Sequence, residues 1–105
     1  SEQPADRQHA VRLVGSLTRE RSCQFGLSSD DPTWKAYMKC AIDESADVRK
    51  EFVHQSIYVL TSIHSHLRGP VSNSLLRMLK DTDENVRETT ISTIIQVAKI
   101  KLESV

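Results

Sequence analysis

One stretch of this chain is written twice, and that repetition constrains the fold more than any other feature. Asp43 to Val53 reads Asp-Glu-Ser-Ala-Asp-Val-Arg-Lys-Glu-Phe-Val, and Asp81 to Ile91 reads Asp-Thr-Asp-Glu-Asn-Val-Arg-Glu-Thr-Thr-Ile. At one fixed offset Asp43 falls on Asp81, Val48 on Val86, Arg49 on Arg87, Val53 on Ile91 and Ile57 on Ile95. The offset is roughly 40 residues, the period of stacked helix-pair units. In each copy an acidic turn runs into an apolar helix. Such a unit cannot bury its apolar face alone and must stack on its neighbours.

The expected architecture is therefore all-α: a fragment of an α-solenoid of the HEAT type, with about five antiparallel helices. At 105 residues, 1–105 has room for a single segment. An apolar share of 38% with five aromatic residues suits thin helical layers better than a thick central core. Lysine plus arginine and aspartate plus glutamate balance at 14 each, so no global field draws the chain to nucleic acid or to a membrane surface. Cys23 and Cys40 lie far apart without a CxxC partner, which suits a reduced intracellular protein. No signal-peptide pattern and no bilayer-length apolar run is present, so cytosol or nucleus is the expected compartment.

Taken in order, Ser1 to Ala5 reads as a frayed start. A helical stripe of Ala10, Val11, Leu13, Val14 and Leu17 follows from Asp6. Arg7 falls on Arg49 when laid over the later copies, so this helix reads as the second half of a repeat, with two helix pairs after it. Arg19 to Asp31 reads as a long loop. Asp31-Pro32 is a cap followed by proline at the first helical position, and Trp34, Tyr37, Met38, Ala41 and Ile42 share one face. The third helix is predicted over Asp47 to Ile63, with Val53, Ser56, Ile57, Leu60 and Ile63 as its core stripe. Val48 and Phe52 lie near its start, and Tyr58 and Val59 lie outside the stripe. Gly69-Pro70 is expected to open the fourth helix, with Leu75, Leu76, Met78 and Leu79 buried. The fifth, Glu84 to Glu103, would bury Ile91, Ile94, Ile95, Ala98 and Leu102, leaving Val97 and Ile100 as a patch that a continuing array would cover. Continuing repeats are expected at both ends.

The candidate site residues follow from this register. Asp47 and Asn85 stand where a side-chain oxygen can cap the helices, and Arg49 and Arg87 follow in the first turn. Their forked donors can reach the acidic turn of the next repeat, which makes Asp47, Arg49, Asn85 and Arg87 a structural ladder. Tyr58, Val97 and Ile100 are candidate partner contacts. His9, His54, His64 and His66 have no metal-ligand spacing, and neither a nucleophile elbow nor a glycine-rich phosphate loop occurs. Neither enzyme activity nor a metal or cofactor is expected.

The ordered pieces also resemble a known family. Arg7-x-x-Ala10-Val11-Arg12-Leu13-Val14-Gly15 precedes a loop, Trp34 opens a short helix, and Asp43 leads to Val48-Arg49-Lys50-Glu51. A second turn-and-arginine helix runs from Asp81 through Arg87 to Lys99. This is similar to a segment of the sister-chromatid cohesion proteins named for precocious dissociation of sisters, the HEAT-repeat regulators of cohesin. The resemblance spans nearly all of the chain and implies a nuclear, chromatin-associated scaffold without enzymatic activity. It also implies binding to the kleisin subunit of cohesin and to release and acetylation factors. A generic HEAT adaptor, of the transport-receptor or phosphatase-scaffold type, is the alternative.

Overall fold

The computed structural model describes residues 3–9, 11–12, 29–61 and 65–103, and they form five helices with no strand among them. Helix α1 takes in 4–9 and 11–12, α2 is Pro32–Lys39 and runs into a 3-10 turn at Cys40–Ile42, and α3 is Ala46–Leu60. Helix α4 is Ser65–Met78 and α5 is Glu84–Glu103. Short turns join α2 to α3 and α4 to α5, which makes each pair an antiparallel hairpin. Helix α3 is the central member. It packs most extensively on α5, then on α4, and on the 3-10 turn. This is an all-α, HEAT-type arrangement.

The first helix starts at Pro4 rather than Asp6. Proline suits the first helical turn because its missing N–H has no partner there, and the Asp6 and Arg7 amides already reach the Gln3 carbonyl at 3.0 and 3.3 Å. Val11 is fully buried. Ala10, Leu13, Val14 and Leu17, most of the predicted loop, and Ile63 lie outside the described residues. Asp31 caps α2, its Oδ1 accepting the Thr33 N–H at 2.8 Å, with Pro32 at the first position. Helix α2 buries Trp34 and Tyr37. The Tyr37 ring stacks on Phe52 at 4.5 Å, and its hydroxyl donates to the Phe52 carbonyl at 3.2 Å, which satisfies the one polar atom of a buried ring. Burial, aided by Cys40, pushes the Tyr37 phenol well above its ordinary pKa. Ile42 departs from its predicted core position: it stands 76% exposed at the end of the 3-10 turn.

Helix α3 buries Val48, Phe52, Val53, Ser56, Val59 and Leu60, with Ile57 partly covered. Val59, expected outside the stripe, is fully buried, because α3 has neighbours on more than one side. Helix α4 begins one turn earlier than Gly69-Pro70 suggests. Leu67, Val71, Ser74, Leu75 and Met78 form a buried helical stripe that starts before the proline, and burial of Leu67 holds that extra turn in place. Leu76, expected inside, is 60% exposed, and Leu79 is half-buried.

Helix α5 is turned relative to expectation. It buries Val86, Thr90, Thr93 and Val97, with Ile94 partly covered. Ile91 and Ile95 are about half exposed, Leu102 more so, and Ala98 is exposed. Threonine can line this interior because the Thr90 hydroxyl donates to the Val86 carbonyl at 2.7 Å, so no buried donor goes unpaired. Val97 therefore belongs to the core rather than to an outward patch.

Candidate functional site

The acidic turns carry the most organised polar geometry among the described residues. Asp43 and Asp81 each stand three residues ahead of the first helical residue, Ala46 and Glu84, and each folds its own turn. Asp43 Oδ1 accepts the Ser45 N–H at 2.9 Å, and Asp81 Oδ1 accepts the Asp83 N–H at 2.9 Å. Six residues on, an arginine closes each turn from the helix. Arg49 Nη1 donates to the Asp43 carbonyl at 2.8 Å, and Arg87 Nη1 donates to the Asp81 carbonyl at 2.6 Å.

Arg49, and Arg7 at the same register, also bind across repeats. Arg7 on α1 grips the Asp43 carboxylate with Nε at 2.7 Å and Nη2 at 3.1 Å. Arg49 on α3 grips Asp81 in the same way, at 2.9 and 3.0 Å. The order Arg7, Asp43, Arg49, Asp81, Arg87 is thus a chain in which forked carboxylate pairs alternate with single bonds to a turn carbonyl, fixing both the shape of each turn and its register on the next. Both carboxylates are close to buried, at 11% and 9% side-chain exposure. Burial alone would raise their pKa values. For Asp43 the Arg7 and Ser45 hydrogen bonds and the charges of Arg7 and Arg49 outweigh it and hold the carboxyl below its ordinary value. For Asp81 the Arg49 and Asp83 bonds, with the charges of Arg49 and Arg87, do the same. Bonding to Asp81 raises Arg49, against the opposing effect of burial.

The predicted ladder residues are placed unevenly. Arg49 and Arg87 occupy it, whereas Asp47 and Asn85 do not. Helix α3 starts at Ala46 after Ser45, so Asp47 sits inside the first turn with its side chain exposed. Its carbonyl accepts from Gln8 at 3.4 Å. Helix α5 is capped by Asp83, whose Oδ1 accepts the Val86 N–H at 3.0 Å, and Asn85 is exposed. The carboxylates that matter are Asp43 and Asp81. Their exact coincidence in the two copies was the available signal, since only a short acceptor ahead of the helix can fold the turn and meet an arginine together. Of the candidate partner contacts, Tyr58 is half-buried, Val97 is in the core, and Ile100 is 38% exposed, so Val97 and Ile100 share no surface patch.

Open grooves line the stacked helices among the described residues. One of about 300 Å³ lies between α1 and α3, crossed by the Arg12–Glu51 ion pair at 2.5 Å. One of about 420 Å³ lies between α3 and α5, lined by His54, Glu88, Thr89, Ser92 and Gln96 among others. Another, of about 360 Å³, lies between the two acidic turns. Among the described residues no three His, Cys, Asp or Glu side chains gather as a metal site would require, and no helix is long and apolar enough to cross a membrane.

Helix hairpins tied at their turns by arginine and aspartate, with shallow grooves between them, define a HEAT-type solenoid segment, a class that works through extended surface. The family model of the sister chromatid cohesion protein PDS5 matches residues 1–105, and the chain belongs to that family, the PDS5-type regulators of cohesin. No curated protein and no solved structure matches the chain significantly.

Proposed function

We propose that this chain is a non-enzymatic scaffold segment of a cohesin regulator, acting in the nucleus on chromatin. The observation that carries the reading is the family match along the whole of 1–105. In this reading α1 is the second helix of one repeat and α2–α3 and α4–α5 are the next two, within a longer solenoid. The ladder supports it. Arg7 and Arg49 each reach forward to the aspartate of a following turn, while Arg87, at the same register, makes no ion pair among the described residues. The aspartate of a further turn is the group it would bind. The half-exposed Ile91 and Ile95 stand at the positions of Val53 and Ile57, which α3 buries fully and partly. A further helix pair would cover them as the existing neighbours cover α3.

The partners of such a scaffold are the kleisin subunit of cohesin and the release and acetylation factors, and holding them sets how long cohesin stays on chromatin. Tyr58 and Ile100 are the candidate contacts. Capture of partners by the full-length protein, read by mass spectrometry, tests this. Cohesin subunits are expected, whereas transport cargo or phosphatase subunits would favour the generic adaptor. Nucleic-acid binding would instead show as a steep loss of affinity with salt.

A further inference from the structure

We propose that the groove between the two acidic turns binds an extended, acidic peptide of a partner protein, with Ile42 as apolar anchor and Arg77 and Lys80 as charge contacts. The first observation is Ile42 itself. It is 76% exposed on the rim of a groove of about 360 Å³, beside Met78, Arg77 and Lys80. The fold does not ask for an apolar residue there. Ile42 directly precedes Asp43, and the residue that directly precedes Asp81 in the second copy is Lys80. A charged side chain therefore serves the same turn equally well, and the isoleucine is left without a structural reason.

The second observation is charge. Asp43 and Asp81 line the groove, but Arg7 and Arg49 already hold them in forked pairs, so they present little free negative charge to a visitor. Arg77 and Lys80 are exposed and make no ion pair among the described residues. The Arg77 guanidinium is also oriented in advance, its Nη2 donating to the hydroxyl of buried Ser74 at 3.2 Å. Two uncommitted cations around one bare aliphatic side chain fit a short segment with an aliphatic or aromatic residue flanked by carboxylates. They fit a nucleic-acid backbone poorly, because that needs a longer track of cations and gains nothing from isoleucine. The groove lies between two turns of this chain, so stacking at either end of a solenoid would lengthen its edge without covering it.

The test is selection of a random 12-residue display library on the full-length protein, with counter-selection on its Ile42→Ser variant, followed by fluorescence anisotropy of the retained peptides. The expected peptides combine Asp or Glu with Leu, Ile or Phe. Their affinity should fall roughly tenfold or more with Ile42→Ser and again with Arg77→Glu plus Lys80→Glu, and should weaken with salt. An unchanged melting temperature of Ile42→Ser would show the loss to be local, and Ile42→Lys, which copies the second turn, serves as a further fold-neutral variant. Failure to retain any Ile42-dependent peptide, or retention of peptides without acidic residues, would overturn the proposal. The outcome is separate from capture of cohesin: groove-dependent acidic peptides would stand even if no cohesin subunit were captured.

Discussion

Arg49 on α3 holds the carboxylate of Asp81 with two parallel hydrogen bonds of 2.9 and 3.0 Å while its third nitrogen closes its own turn on the Asp43 carbonyl at 2.8 Å. One side chain thus ties a turn to its helix and one repeat to the next. The geometry is the paired fork in which guanidinium and carboxylate match best, and a short side chain at either position would leave a nearly buried charge unpaired.

Acid sensitivity follows from the two carboxylates. Asp43 and Asp81 have folded pKa values below their unfolded ones. Between those values the unfolded chain binds more protons, so stability falls as pH falls. The contribution is complete above the unfolded value of about 3.9 and is lost on acidification through the folded values. Urea midpoints from pH 7 to pH 2.5 should drop mainly below about pH 5. Asp81→Asn should lower stability at pH 7 and flatten that dependence. An equally steep acid loss in the variant would show that other groups carry it.

Helix α4 contains a predicted conflict between neighbours. Pro70 lies inside the helix, where it cannot donate to the carbonyl four residues back. Gly69 precedes it, and a residue before proline resists the helical conformation chiefly through its Cβ. A Cβ at Gly69 would meet nothing else within 4 Å. Gly69→Ala alone should therefore gain less than the ~0.5–1 kcal/mol of an ordinary helical glycine, or lose stability. After Pro70→Ala, itself stabilising by up to ~3 kcal/mol, the same change should gain in full. Chemical denaturation of the two single variants and the double variant checks the sign, and strict additivity would contradict the argument.

The outer face of α5 gives a third expectation. Ile91→Ser with Ile95→Ser should cost the 105-residue chain about 1.5–3 kcal/mol, the half of two isoleucine burials already made, because both side chains are about half exposed. In a longer stretch with a following helix pair it should cost about 1.5–3 kcal/mol more, the remaining half of two isoleucine burials. Val97→Ser should cost about 2 kcal/mol in both, since Val97 is in the core. Calorimetric melts of the two lengths measure this. Equal loss from the isoleucine pair in both would mean that nothing further covers that face.

These residues also mark how far the fold is legible in the sequence. The turns are readable because their chemistry is local: an aspartate, an arginine six residues later, and the same pair again one repeat on. Helix α5 is not, because Ile91, Ile95 and Leu102 make as good a helical stripe as Val86, Thr90, Thr93 and Val97. The choice between them depends on which side α3 approaches. Buried threonine with a hydrogen bond to its own helix cannot be told from surface threonine by hydropathy. Gly69-Pro70 reads as a boundary by local rules, and the tertiary burial of Leu67 overrides it. Ile42 reads as core by spacing, yet the 3-10 turn ends there and turns it out.

The ladder is the centre of the account, and a double-mutant cycle on Arg49 and Asp81 tests it most directly. Urea unfolding of Arg49→Ala, Asp81→Ala and the pair should show each single change costing roughly 1.5–3 kcal/mol. The double change should cost clearly less than their sum, because the second removal no longer strands a charge. Capture of cohesin by full-length Arg49→Ala, measured well below its melting temperature, should be retained. Additive losses with no coupling, or an unchanged melting temperature together with loss of cohesin, would make Arg49 a binding residue and contradict the ladder.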